Sequence, residues 1–355
     1  MEFDDTPREL REVCEKGLHG KYSVDQQLCA LLSTIGWSTA YILPVICGFG
    51  LIGTTFIIIA MVRGIKGFAR QLIYLLCMSI TSVVINILIS WLWLIPSKGI
   101  PYASNGTVYF FVRYNSASMC TAHYATSILT VALYSNVLLV ASLDRFMTIF
   151  FPTKTITLTN RHALIAVGIT IGFSCVTVLP PTLEVTWVPV DNIIFCGFPE
   201  DRLASITAHL LLSLLIQPIL IGIFNVLLYY RLTVLCKKHS PDDKKSNSHR
   251  QLRASLTLFL LSLAYLAFSM PLGISMIVTV VLIRGDGQLD DGVHVAQGVV
   301  YLMWEIFFLR ELANIVIIVR QVPLVRSFML RIIQKNSRKS SAPLSSATKN
   351  SGQKK

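Results

Sequence analysis

The segment Val137-Leu138-Leu139-Val140-Ala141-Ser142-Leu143-Asp144-Arg145-Phe146-Met147-Thr148-Ile149-Phe150-Phe151-Pro152 joins an apolar run to an acid–base pair and a proline. Upstream, the run reaches back to Ser118 without a Lys, Arg, Asp or Glu. A bilayer crossing needs about 20 mostly apolar residues. Ser118 to Ile149 therefore predicts a membrane helix, long enough to tilt or to extend into the cytosol. The same test selects Ala40 to Val62, Leu72 to Ile95, Ala163 to Leu183, Ile206 to Leu235, Leu256 to Ile283 and Val293 to Val319. Seven spans follow, all helical, because an open strand cannot satisfy its backbone in lipid.

Composition points the same way. Of the 355 residues 53% are hydrophobic and only 14% charged, against about 25% charged in soluble domains. The net charge of +12 lies in short segments between apolar runs rather than along one hydrophilic face, which argues against nucleic acid as a partner. The loops at 63–70, 145–161 and 231–253 and the tail from Arg320 hold 22 Lys and Arg against three acids, counting Asp144. The opposite side holds eight bases against fourteen acids. Basic loops stay in the cytosol, so the amino terminus is outside.

This divides the chain into an extracellular segment at 1–38, a membrane domain at 39–332 and a disordered basic cytosolic tail at 333–355. The acids Glu2, Asp4, Asp5, Glu9, Glu12 and Glu15 leave no basic-then-apolar pattern for a cleavable signal peptide, and the first span is expected to direct insertion. The sequon Asn105-Gly106-Thr107 falls outside, as glycosylation requires. Cys14, Cys29, Cys120 and Cys196 also fall outside, where disulfides persist; four cysteines allow three pairings. No Cys-x-x-Cys pair is present, and neither a metal site nor a cofactor is expected.

Ala141 to Pro152 resembles the Asp-Arg-Tyr region of rhodopsin-like (class A) G-protein-coupled receptors, including the proline seven residues after Arg145. Cys120 lies 25 residues before Arg145, the spacing of that family's extracellular cysteine, and Cys196 matches its partner in the second outer loop. That pairing is expected by resemblance, with Cys14–Cys29 as a second disulfide. Pro218 and Pro271 sit where the family bends its fifth and sixth helices, Asn314 is similar to the Asn of its Asn-Pro-x-x-Tyr motif, and Arg326, Phe328 and Leu330 resemble the start of its membrane-surface helix.

The resemblance implies an all-α seven-helix bundle at the plasma membrane. It implies an extracellular ligand and a cytosolic heterotrimeric G protein, with Asp144, Arg145, Phe146, Pro152 and Asn314 in coupling and activation. The tail carries Ser337, Ser340, Ser341, Ser345, Ser346, Thr348 and Ser351, and phosphorylation there is expected to recruit an arrestin-like regulator. With no cysteine in the tail, palmitoylation is not expected.

The departures are as informative. Gly53-Thr54 stands where the family has Gly-Asn, Thr81-Ser82 where it has an Asp, Ser269 where it has a Trp, and Ile315 and Ile318 replace the Pro and Tyr of the seventh-span motif. The fourth span has no central Trp. In their place the seventh span carries Glu305, Arg310 and Glu311. Ionisable groups inside a span are costly, which makes them functional candidates, with a static packing pair as the alternative. Because adjacent helical residues do not face each other, Arg310 is expected to reach another span. The base of the sixth span offers Arg145 no acid, so its expected partner is Asp144.

His123, Tyr124, Ser127, Gln217, Trp304 and Glu305 are the ligand-pocket candidates. Ser127 stands where an amine receptor has its acid, and residues 285–319 contain no lysine for retinal. The outer loop Thr186 to Cys196 has strand-like flanks around Asp191-Asn192, a hairpin like those of peptide-binding members, which favours a peptide over a small molecule. Divergent invertebrate chemosensory receptors are the nearest competitor. A transporter or channel using Arg310 and Glu311 is the alternative class, but no internal repeat supports it. An enzyme is not expected, because no span holds a nucleophile–base set.

Overall fold

A computed structural model describes residues 14, 23–63, 70–108, 110–113, 115–155, 158–190, 193–198, 203–238, 246–286 and 291–340. Its first helix, α1, joins Ser23–Trp37, a wide π-type turn at Ser38–Ile42, and Leu43–Arg63. Helix α2 joins Arg70–Ile85, a second wide stretch at Asn86–Gly99, and Ile100–Ala103. Helices α3 (Ala117–Phe150) and α4 (Asn160–Glu184) follow, then strands β1 (Thr186–Val190) and β2 (Ile193–Gly197). Helix α5 joins Leu203–Leu210, a third wide stretch at Leu211–Ile216, and Gln217–Lys238. Helices α6 (Ser246–Asp286), α7 (Asp291–Gln321) and α8 (Pro323–Ser340) complete the chain.

Each expected span lies within one of α1 to α7. Among the described residues, α1 to α6 each contain a stretch long and apolar enough to cross a membrane; α7 carries the three ionisable residues 305, 310 and 311. Large apolar side chains such as Phe49, Ile169, Val176 and Val226 face outward. In water that belt would be an aggregation surface; in a bilayer it faces acyl chains.

Each wide stretch contains or adjoins a proline: Pro44 follows the first, Pro96 lies in the second, and Pro218 follows the third. Proline has no N–H to give and its ring crowds the carbonyl four residues back. Widening the helix relieves both conflicts. Pro180, Pro181 and Pro271 sit within α4 and α6 with no such widening.

Two boundaries differ from the sequence reading. The expected end of the outer segment at residue 38 falls inside α1, which runs outward to Ser23, because Leu28 and Ile35 bury themselves against the bundle. The expected tail at 333 begins inside α8, which continues to Ser340. Val325 anchors α8 in the core, and the Arg63 guanidinium lies 5.4 Å from the Phe328 ring centre. Residues 341–355, with most of the tail serines, lie outside the described residues, as do Asp191, Asn192, Lys244 and Lys245.

The strands form the expected antiparallel hairpin, with Trp187 opposite Cys196 and Val190 opposite Ile193. The Cys120–Cys196 disulfide fastens β2 to the outer end of α3, and Cys14–Cys29 ties the amino-terminal segment to α1. Asn105, at a turn with φ 50°, is exposed.

Candidate functional site

Beneath the hairpin lies a cavity of about 340 Å³, within the range of small-molecule sites. Gly197 and Phe198 contribute to its lining beside the outer parts of α2, α3, α5, α6 and α7. Of the expected pocket residues, Tyr124, Ser127 and Trp304 line it. The other three do not. His123 donates from Nε2 to the Leu88 carbonyl at 3.0 Å. Gln217 accepts from Ser135 at 2.7 Å and donates to Asn136 at 2.6 Å, and Asn136 donates to Ser174 at 2.9 Å. Glu305 accepts from Thr39 of α1 at 2.5 Å. Their side chains are engaged in helix-to-helix bonds, which in lipid have no competing water.

Sequence reasoning missed Trp93, Arg113, His209, Gln297 and Tyr301 of the lining. Arg113 was the findable one. It is the single base between the sequon and Cys120, and its guanidinium carbon lies 4.3 Å from the Trp93 ring centre and 5.7 Å from that of Tyr124. Trp93 also meets Trp304 edge to face, with centroids 6.1 Å apart.

Below the cavity the ion pair sits at the level of the bundle core. Arg310 reaches another helix only through a ring: its guanidinium carbon lies 4.1 Å from the ring centre of Tyr134 on α3 and 4.0 Å from that of Phe307, while its hydrogen-bonded partner, at 2.8 Å, is Glu311 of its own helix. The side chain curls back along its own helix because its nearest unlike charge is there. Glu311 also accepts from Ser82 of α2. Asn314, one turn inward, donates to the Tyr134 hydroxyl at 3.1 Å. A cavity of about 20 Å³, the room one water needs, lies among Ser82, Tyr134, Glu311 and Asn314. Gly50 of α1 packs beside this site: a Cβ there would stand 3.2 Å from Asn86 Nδ2 and 3.4 Å from the Glu311 Cβ.

At the inner end, Arg145 and Asp144 pair at 3.2 Å, and Arg70 at the start of α2 pairs with the other oxygen of Asp144, also at 3.2 Å. One carboxylate thus holds two cations, and its bond to Arg70 ties α2 to α3 at the bundle's inner end. Phe146 stacks on Phe150 and leans on Phe224 of α5. Pro152 begins a single helical turn, Pro152–Thr155.

The sequence matches the model of the 7 transmembrane receptor (rhodopsin family) over residues 55–307, from the inner half of α1 to the middle of α7. The chain belongs to the rhodopsin family of seven-transmembrane receptors. No curated protein matches it as a relative. The family match ends before Arg310, Glu311 and Asn314, so the receptor's ion pair lies outside the stretch it shares recognisably with the family. Among the described residues no group of three or more His, Cys, Asp or Glu is placed to hold a metal.

Proposed function

We propose that this multi-pass receptor works at the plasma membrane, binds an extracellular ligand in the cavity under the hairpin, and signals to a cytosolic heterotrimeric G protein. The observation that carries the reading is the vertical order of the three sites: an apolar cavity, a buried ion pair, and a paired Asp144-Arg145 at the inner end. Trp304 lines the cavity and packs on Phe307, 5.2 Å away between centroids, and Phe307 lies against Arg310. A ligand that displaces Trp304 therefore acts on the ion pair through one aromatic ring. Asn314 and Tyr134 pass that displacement to α3, whose inner end carries Asp144, Arg145 and Phe146. A switch of this kind needs two arrangements biased by the ligand, not distance alone.

The hairpin supports a peptide ligand, since its strands lie over the cavity mouth and offer backbone groups to an extended chain. Phosphorylation of the tail serines supports recruitment of an arrestin-like regulator. Asn105 is the proposed glycosylation site. The test is a screen of peptide and small-molecule pools on cells expressing the receptor at the surface, read through several G-protein chimeras. A ligand response that disappears in Arg145→Ala at equal surface expression is expected. Ligand-dependent current or uptake with no G-protein activation would refute the reading.

A further inference from the structure

We propose that the outer cavity receives an anionic amphiphile: a hydrophobic body carrying one carboxylate, which docks on Arg113. The inference rests on reading this cavity as the receptor's ligand site and names what that site selects.

The charge content of the wall comes first. Among the described lining residues Arg113 is the single Lys or Arg, and Asp and Glu are absent. A cationic ligand would find a like charge and no counter-ion there. Among the described residues Arg113 has no acidic partner: the ion pairs are Arg70 and Arg145 with Asp144, and Arg310 with Glu311. Its Nε is buried without a hydrogen-bond partner.

Geometry then says how it would be used. The Arg113 guanidinium carbon lies over the rings of Trp93 and Tyr124, contacts that use the cation's charge and leave its N–H donors to a ligand. That planar fork of donors matches the two oxygens of a carboxylate. Stacking on two rings also holds the fork in place before anything binds, reducing the ordering cost.

The rest of the wall sets the body. Ile89, Ile128, Val131, Leu210, Met276 and Ile283 belong to the apolar majority of the lining, beside the neutral polar His209, Ser213, Thr279 and Gln297; such a wall would strip more water from a strongly polar body than it could replace with hydrogen bonds. Ser127 Oγ and Trp304 Nε1, both in the lining, are buried without partners and offer one or two neutral hydrogen bonds. A long-chain fatty acid and the free C-terminus of a short hydrophobic peptide present this same chemistry.

The experiment uses the full-length receptor in lipid nanodiscs and follows its thermal unfolding midpoint against ligand concentration. One arm compares palmitate with hexadecanol, the other the tripeptide Leu-Leu-Phe as free acid with its C-terminal amide. In at least one arm the acid should bind about tenfold or more tightly than its neutral twin, the ratio one charge-assisted bond supplies. Arg113→Gln should erase the preference and Arg113→Lys should keep part of it. Preference in the palmitate arm alone assigns a lipid source, and in the peptide arm alone a peptide. Equal binding of acid and neutral forms, a preference that survives in Arg113→Gln, or binding in neither arm overturns the proposal. G-protein activation is read in parallel. An acid preference without activation keeps the ligand class and counts against the receptor mechanism; activation by ligands that bear no anion sinks the ligand class alone.

Discussion

Arg310 donates across 2.8 Å to Glu311, the residue that follows it on α7, and the two are 1% and 2% exposed. Removing one member of such a pair strands a charge in a low-dielectric core, at about 3–5 kcal/mol. Glu311→Gln keeps a hydrogen-bonding side chain of the same shape beside Ser82 and Arg310 and removes only the charge. Arg310 is then left without a counter-charge, but the amide oxygen still accepts from it and softens that cost, so the variant should reach the cell surface at a reduced level and alter basal or ligand-evoked signalling. Glu311→Ala removes the shape as well and should lower the thermal midpoint and surface level sharply. Unchanged signalling in Glu311→Gln would reduce the pair to a static packing device.

The inner end makes a second prediction. Asp144 holds both Arg70 and Arg145, and the base of the sixth span, from Ser248 to Arg253, contains no acid to hold Arg145 from the other side. Among the described residues Arg145 is thus held by its neighbour Asp144, with Arg70 as that carboxylate's second cation. Basal G-protein activation in transfected cells should exceed the mock background, and Asp144→Asn should raise it further. Arg70→Ala should raise it less, because Arg145 keeps its partner. Silence in all three would remove Asp144 from the switch.

Much of this was legible in advance because lipid imposes coarse rules. Span length, loop charge and the Cys120-to-Arg145 spacing depend on sequence position, so seven helices, their orientation, the hairpin and the Asp144-Arg145 pair could be read directly. Side-chain direction could not. Glu305 and His123 lie at the same depths as Trp304 and Tyr124, and Gln217 lies level with Ser135, about two turns inward of Ser127; each is turned by a partner on a neighbouring helix: Thr39, the Leu88 carbonyl, and Ser135 with Asn136. Arg310 defeated the rule that adjacent residues do not meet, because a long flexible side chain can curl back when its own neighbour is the nearest unlike charge. The helix ends failed for another reason: Leu28 and Val325 are buried by tertiary packing, which no hydropathy window records.

The outer seam between α1 and α2 depends on Gly99. A Cβ there would stand 2.7 Å from the Thr39 carbonyl oxygen, and backbone cannot yield as a side chain does. Gly99→Ala should force the helices apart at a cost of about 1–3 kcal/mol, seen as a lower melting point in detergent. Gly48→Ala, with nothing within 4 Å of the added carbon, is the matched control and should melt like the parent.

Gln217 gives the sharpest contrast between a binding role and a packing role. Its amide bridges Ser135 and Asn136 of α3, and through Asn136 reaches Ser174 of α4. Gln217→Leu has similar volume but leaves those partners to each other. Interhelical hydrogen bonds in membranes contribute about 0.6–2 kcal/mol each, so losing two should cost about 1–4 kcal/mol of stability. Since the side chain does not line the cavity, ligand affinity should change less than twofold in the fraction that folds. Ser127→Ala and Trp304→Phe, in the lining, should do the reverse, weakening binding with a smaller effect on melting. Saturation binding and thermal melts on the same three preparations separate the cases. A large affinity loss in Gln217→Leu with an unchanged melt would return Gln217 to the ligand site.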